Sequence, residues 1–204
     1  MKQLIKPAIF SIISLLFKVR FNWLIRNVEK NSCVYLVDID NTLAHTWPSL
    51  KDYVYSGENY RYRSLPIFIG MRNFISNKIS GNAKVIFISA RSYLSYSVTS
   101  DWLISNGLPG DKLILVAKPD HKLDYIIELL YRNIRVVYID DLSHSHELGT
   151  VKLYEELILG LKELPIQYLG VNEIALINSD YEINNQNIKK TFQDHPNYRH
   201  SKVV

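Results

Sequence analysis

Two aspartates stand two residues apart in Asp38-Ile39-Asp40-Asn41-Thr42, directly after the apolar run Cys33-Val34-Tyr35-Leu36-Val37. If the chain stays extended there, both carboxylates project to one side. Like charges that close resist joint ionisation. They persist where a cation sits between them, or where one stays protonated and serves as an acid. A solvated turn at a strand end carries the same letters, so this pair alone says little. A second apolar run, Val85-Ile86-Phe87-Ile88, ends in Ser89-Ala90-Arg91-Ser92, where a small hydroxyl and free amides suit either a phosphate oxygen or a helix cap. A third, Leu113-Ile114-Leu115-Val116, leads into Ala117-Lys118-Pro119-Asp120-His121-Lys122, two lysines beside a helix start or an exposed basic turn. The fourth, Ile134-Arg135-Val136-Val137-Tyr138-Ile139, ends in Asp140-Asp141. Two acids at the end of a buried strand demand a counter-charge.

These residues need a scaffold that brings four strand ends together. From Cys33 onward, short apolar runs alternate with amphipathic segments, as in a parallel sheet covered on both faces. Helices are expected over Met71–Ser80, Ser95–Asn106, Lys122–Tyr131 and Thr150–Leu161. The expected fold is α/β, a three-layer α/β/α Rossmann-like sandwich with a mainly parallel sheet, in which ligands bind beyond the carboxyl ends of the strands. All four constellations fall on that rim. The segment Ile166–Ile177 is read as a further strand and Asn178–Val204 as a polar, loose tail. No internal repeat or low-complexity tract is present. The divisions are 1–30, an amphipathic helix; 31–178, the α/β domain; and 179–204, the tail.

Length and composition agree with one such domain. The chain has 204 residues, 47% hydrophobic and 22% charged, enough for a sizeable core. Its one cysteine, Cys33, excludes an internal disulfide and a zinc-finger ligand set, and fits a reducing, cytoplasmic setting. The net charge of +4 is too balanced to name nucleic acid or membrane as a partner. The most apolar stretch, Pro7–Phe17, falls short of the ~20 residues of a spanning helix, and no small-x-small cleavage site follows it. As one helix starting near Pro7, it carries a narrow polar stripe of Ser11, Ser14, Lys18, Asn22, Arg26 and Glu29 on an otherwise apolar surface. Two readings stand: a packing helix, against the domain or a second copy in a homo-oligomer, and an in-plane anchor making peripheral membrane contact through residues 7–28.

The order strand-DxD, strand-Ser, Lys, strand-DD resembles the haloacid dehalogenase-like (HAD) phosphohydrolases over roughly Cys33 to Gly160. The spacings between motifs are short, as in members without a large cap domain. The resemblance implies a phosphomonoester hydrolase. Asp38 would be the nucleophile that forms an aspartyl-phosphate, and Asp40 the acid for the leaving alkoxide and then the base for water. A dehalogenase has no alkoxide to protonate, so Asp40 points to phosphoester chemistry. Mg²⁺ would be held by Asp38, the Asp40 carbonyl and Asp140, with Asp141 beside them. Ser89, Ala90, Arg91, Asn41, Thr42 and a lysine would hold the phosphoryl group. Lys122 is preferred because it opens a helix, and Lys118, before a proline, is the alternative. The family often has glycine where Asn41 stands.

An open site suits large or polymer-attached phosphates. One expected substrate is a sugar phosphate or a glycan-biosynthetic intermediate; another is a polynucleotide 3′-phosphate, which only a mild basic excess supports. A non-catalytic HAD-like binding module is the third reading, and the intact acids argue against it. Tyr53, Tyr55, Tyr60, Arg61, Tyr62 and Arg63 form either a flap over the mouth or a surface hairpin, and His144, His146 and Glu147 either line the mouth or belong to a polar loop.

Overall fold

Each of the four apolar runs that end in polar or charged pairs forms a strand, because near-continuous Val, Ile and Leu suit a sheet buried on both faces. The computed structural model describes residues 2–51, 57–145 and 151–179. In chain order these form α1 (Lys2–Ile25), β1 (Cys33–Val37), α2 (Trp47–Lys51), α3 (Glu58–Ser64), α4 (Ile69–Ser80), β2 (Lys84–Ser89), α5 (Tyr96–Ser105) and β3 (Leu113–Leu115). They continue with α6 (Lys122–Tyr131), β4 (Arg135–Ile139), β5 (Ser143–His144), β6 (Lys152–Leu153), α7 (Glu155–Lys162), β7 (Gln167–Leu169) and a last helix, α8, over 171–179.

Five strands make one sheet in the order β3-β2-β1-β4-β7, with every neighbouring pair parallel. The fold is thus the expected α/β sandwich, with helices flanking a parallel sheet. Leu36, Ile86, Ile88 and Ile114 are fully buried within it, and Tyr125, Ile126 and Leu129 form the buried face of α6. Strand order reverses direction about β1, so the crevice between the ends of β1 and β4 is the natural ligand position. Register sets its contents: Val37 lies opposite Ile139, and the Asp38 amide donates to the Ile139 carbonyl at 2.8 Å. Asp38 and Asp140 therefore leave adjacent strands side by side. Beyond the sheet, β5 and β6 form a small antiparallel ribbon.

Three boundaries differ from expectation. α1 begins at Lys2, so Pro7 lies in its second turn rather than at its start. Residues 151–154, expected to be helical, include β6, and α7 begins only at Glu155, while Thr150 lies outside the described residues. Only Gln167–Leu169 of the Ile166–Ile177 segment is strand, because Gly170 stops it and starts α8: the Gly170 amide donates to Glu173 Oε2 at 2.9 Å, and its carbonyl accepts from the Ile174 amide at 3.0 Å. Asn178, assigned to the loose tail, is also fixed. Its Oδ1 accepts from the Met71 amide at 2.9 Å, so α8 closes the open end of α4. The rest of the tail, 180–204, lies outside the described residues.

That closure requires glycine at position 70, where an added Cβ would stand 2.7 Å from Asn178 Cα and 2.8 Å from the Ile177 carbonyl oxygen. Both contacts are to backbone, which cannot rotate away. Gly70→Ala is expected to destabilise the fold by about 1–3 kcal/mol, measured by urea unfolding.

Candidate active site

The site begins with the way the chain turns after β1. The amides of Thr42, Leu43 and Ala44 all converge on the Ile39 carbonyl, at 3.3, 2.9 and 2.7 Å, which folds the backbone sharply back behind Asp40. This turn needs Asn41 at φ 55°, a left-handed conformation open to Gly and, among side-chain-bearing residues, chiefly to Asn and Asp. The Asn41 Oδ1 accepts from the Trp47 amide at 2.9 Å. Thr42 is fully buried, and its hydroxyl accepts from the Asp141 amide at 3.1 Å, tying the first acidic loop to the last.

Four carboxylates meet at this rim. Asp38, Asp140 and Asp141 each bring one oxygen to within 4.8 Å of the others, and all three are buried. Lys122, the first residue of α6, reaches between the two strand ends with Nζ 2.6 Å from Asp38 Oδ1 and 2.6 Å from Asp140 Oδ2. Asp140 also accepts from the Tyr138 hydroxyl and, at 2.8 Å, from the Leu142 amide. The Tyr168 hydroxyl holds the Asp140 carbonyl at 3.0 Å, and the Ser143 hydroxyl donates to Asp141.

Asp40 has a different partner. Arg91 grips it with a two-pronged fork, Nε to Oδ2 at 2.8 Å and Nη2 to Oδ1 at 2.7 Å, and the Thr46 hydroxyl donates to Oδ1 at 2.7 Å. Arg91 is itself held by Thr99 at 3.3 Å and lies 4.0 Å above the Tyr62 ring. The two aspartates of the pair therefore diverge electrostatically. Burial pushes the Asp38 carboxyl well above the usual carboxylate range; Lys122 opposes this, while Asp140, Asp40 and Asp141 reinforce it. Burial acts on Asp40 in the same direction, but the charge and hydrogen bonds of Arg91, with Thr46 and Arg61, outweigh it and leave Asp40 below its ordinary value. Asp141 is pushed up to about 7 by burial and by Asp140, against the pull of Ser143 and Lys122. Lys122 stays charged: burial opposes this, but Asp140 and Asp38 raise its pKa further.

These groups line a pocket of 180 Å³ together with Asn41, Tyr62, Ser89, Ala90, Pro119 and Tyr154. Asp38, Asp40, Ser89, Arg91, Lys122, Asp140 and Asp141 are thus brought together. Two other candidate residues are placed differently. Lys118 lines an adjoining groove of 640 Å³ and Thr42 acts behind the acids, while within the pocket Arg91 gives its guanidinium to Asp40. His144 lines the groove as well, 4.5 Å from the Tyr154 ring. Tyr53, Tyr55, His146 and Glu147 lie outside the described residues. Arg61, by contrast, is buried on α3 and donates to Ser49 at 3.3 Å. Sequence reasoning missed Tyr138, Tyr154 and Tyr168. Only Tyr138 leaves a trace, because it stands two residues before Asp140 on one strand face.

A divalent cation fits this donor set. Three buried carboxylates face one ammonium, and oxygen donors of this kind suit a hard ion. No protein-family model and no curated protein matches the chain. Among solved structures it is similar to the class C acid phosphatase of Bacillus anthracis with tungstate bound, at 16% identity over 78% of this chain and 76% of that one, with a TM-score of 0.46. It is also similar to a second structure of the class C acid phosphatase from that organism, at 14% identity over 97% and 98% of the chains, again with a TM-score of 0.46.

Crowding of the acids sets the pH dependence of the metal-free protein. An unfolded Asp titrates near 3.9, whereas folded Asp141 titrates at about 7, so between these values the folded state binds the extra proton. Stability in EDTA is expected to fall as pH rises from about 4 to about 7. Asp141→Asn should flatten that slope and leave the part due to Asp38, as read from melting temperature against pH.

Proposed function

We propose that the protein is a HAD-type, Mg²⁺-dependent phosphomonoester hydrolase working through an aspartyl-phosphate on Asp38. The observation that carries this reading is the convergence of four carboxylates on only two paired cations, Lys122 and Arg91, at the carboxyl ends of parallel strands. Asp38, Asp140 and Asp141 would hold the ion, which supplies charge neutralisation for a phosphate dianion. Lys122 and the ion together would hold Asp38 as a carboxylate, and the Lys122 contact to Oδ1 fixes the direction of the other oxygen. An Asp38 oxygen attacks phosphorus as the ester P–O bond opposite breaks, and Asp40 gives its proton to the departing alkoxide. Water then attacks the aspartyl-phosphate, Asp40 takes up the proton, and phosphate leaves with Asp38 restored. Ser89, the amides after β2 and Lys122 hold the phosphoryl oxygens.

The Arg91 fork adds a requirement to this cycle. Gripped by Arg91, Asp40 is ionised and ready as a base but not as an acid. Arrival of a phosphate offers Arg91 a second anion, and transfer of its donors to phosphoryl oxygens frees Asp40 to take up a proton from solvent, which it then gives to the leaving alkoxide.

The adjoining groove favours a carbohydrate over a nucleic acid. Its charged and ionisable lining is Lys118 and His144 against Asp120, Glu155 and Glu156, beside the Tyr154 ring. A polyanion requires a cationic track, whereas hydroxyl groups hydrogen-bond readily to carboxylates and a sugar face packs on an aromatic ring. The substrate class proposed is a sugar phosphate or glycan-biosynthetic intermediate.

Hydrolysis of an aryl phosphate is expected with Mg²⁺, and none with EDTA or with Asp38→Asn. Activity of Asp38→Asn near that of the wild type would remove Asp38 as nucleophile. If wild-type protein neither turns over any member of a panel of sugar phosphates and 3′-phosphorylated oligonucleotides nor binds Mg²⁺ by calorimetry, the non-catalytic reading replaces this one. Asp40→Asn should cost about 10²–10⁴ in kcat. Arg91→Gln should lower kcat/KM and move the basic limb of its pH profile upward, because Asp40 loses the cation that depresses its pKa.

A further inference from the structure

The face of α1 turned away from the domain carries a continuous apolar stripe. Phe17, Phe21, Leu24 and Ile25 are buried against the domain, with Ile13 partly buried and Phe10 5.9 Å from Tyr93; Phe17 stacks on Tyr93 at 5.5 Å and Phe21 meets Tyr125 edge-on at 4.8 Å. Lys18 pairs with Asp124 at 3.2 Å beside this contact. On the other side Ile9, Ile12, Leu16, Val19 and Trp23 recur at alternating steps of three and four, which places them in one line on a helix. Ile12, Leu16 and Val19 are 59%, 62% and 59% exposed, and Leu15 widens the line at 61%. Docking of α1 on the domain therefore leaves this apolar face uncovered.

Charge decides what covers it. Residues 1–28 contain Lys2, Lys6, Lys18, Arg20 and Arg26 and no acidic residue. A second copy of the helix would set basic flanks against basic flanks, with no acid in either to pair across the seam. Lys18 and Arg20 are engaged with the domain, through Asp124 and the Asp111 carbonyl. Nothing acidic in this segment, however, opposes a negatively charged lipid surface, which takes the apolar line into the acyl boundary and the net positive charge toward headgroups. Among the described residues no helix is long and apolar enough to cross a membrane, so α1 would lie in the surface plane. We infer that α1 is an in-plane anchor that docks the protein on anionic lipid through Ile9, Ile12, Leu16, Val19 and Trp23. This inference does not depend on the protein being a phosphatase.

Flotation of the full chain with phosphatidylcholine vesicles, with and without phosphatidylglycerol, tests it. At least about tenfold more protein is expected to float with the anionic vesicles, and high salt should release it. The triple variant Ile12→Ser, Leu16→Ser, Val19→Ser alters exposed positions only. It should lose flotation while keeping its melting temperature, and Trp23 emission should shift to the blue on vesicles in the wild type alone. Failure of the wild type to float on anionic vesicles would overturn the inference. So would flotation of the serine variant equal to the wild type, or a wild-type dimer that the same substitutions convert to monomer. If the triple variant melts early, Leu16→Ser alone carries the comparison.

Discussion

A single ammonium group, Lys122 Nζ, sits 2.6 Å from carboxylates on two adjacent strands, and the rim of the sheet is arranged around it. The parallel register of β1 and β4 forces Asp38 and Asp140 to leave the sheet as neighbours. Without a cation between them, two buried like charges would not both ionise. Lys122 starts α6, so the element that covers one face of the sheet also delivers the charge that its edge requires. Removing one member of such a buried group costs about 3–5 kcal/mol, because the survivor is left buried and unpaired. The same pairing explains why Asp140 is so heavily restrained, by Tyr138, the Leu142 amide and, through its carbonyl, Tyr168. A carboxylate free to rotate could not keep Lys122 directed at Asp38.

Around this centre, two chemically identical residues acquire opposite tendencies. Asp38 is buried among other acids with one lysine and is pushed toward the neutral form, whereas Asp40, two residues on, is held ionised by Arg91 and Thr46. The divergence is built by elements far apart in sequence. Arg91 follows β2, Thr99 fixes it from α5, and Tyr62 supports its guanidinium from α3. The proposed cycle needs the reverse, an ionised Asp38 and a protonated Asp40, so it requires a cation beside Asp38 and a second anion that draws Arg91 away. The turn at Asn41 makes the sharing possible by folding the chain back as soon as Asp40 has been presented.

The strand ends were legible because uninterrupted Val, Ile and Leu mark strands buried on both faces, and their last residues must then be polar. The convergence of Asp38, Ser89, Lys122 and Asp140 follows once those strands are parallel. Pairings across the rim left no such trace. Position at the opening of a helix prefers Lys122 to Lys118, and in the fold it is Lys122 that reaches Asp38 and Asp140. Arg91, so close to Ser89, reads as a phosphate ligand by position alone, and its fork to Asp40 is visible only in the fold. Tyr154 and Tyr168 come from segments beyond β4 whose course depends on tertiary contacts. The short β7 and the start of α8 were likewise hidden, because Gly170 and its Glu173 acceptor interrupt what composition alone presents as one apolar segment. α1 was ambiguous for a related reason: a helix apolar on most of its surface does not announce which side the domain will use.

The net charge of +4 conceals two opposed fields. The N-terminal helix is basic throughout, while the pocket holds Asp38, Asp40, Asp140 and Asp141 against Lys122 and Arg91, an excess of two negative charges when all are ionised. A phosphate monoester entering that pocket brings two more. Ser89 and the amides after β2 supply dipoles, which are too weak to offset repulsion between anions at such distances in a buried site. A divalent cation at the Asp38–Asp140–Asp141 cluster would cancel the excess and turn the pocket from one that repels phosphate into one that accepts it. Metal and phosphate must then favour each other's binding to the same degree, since linkage is reciprocal. On the proposed reading the acid-rich rim would be a site for an anion only in company with a cation. Its excess negative charge, unfavourable in the metal-free fold, would then be the source of its affinity for the pair.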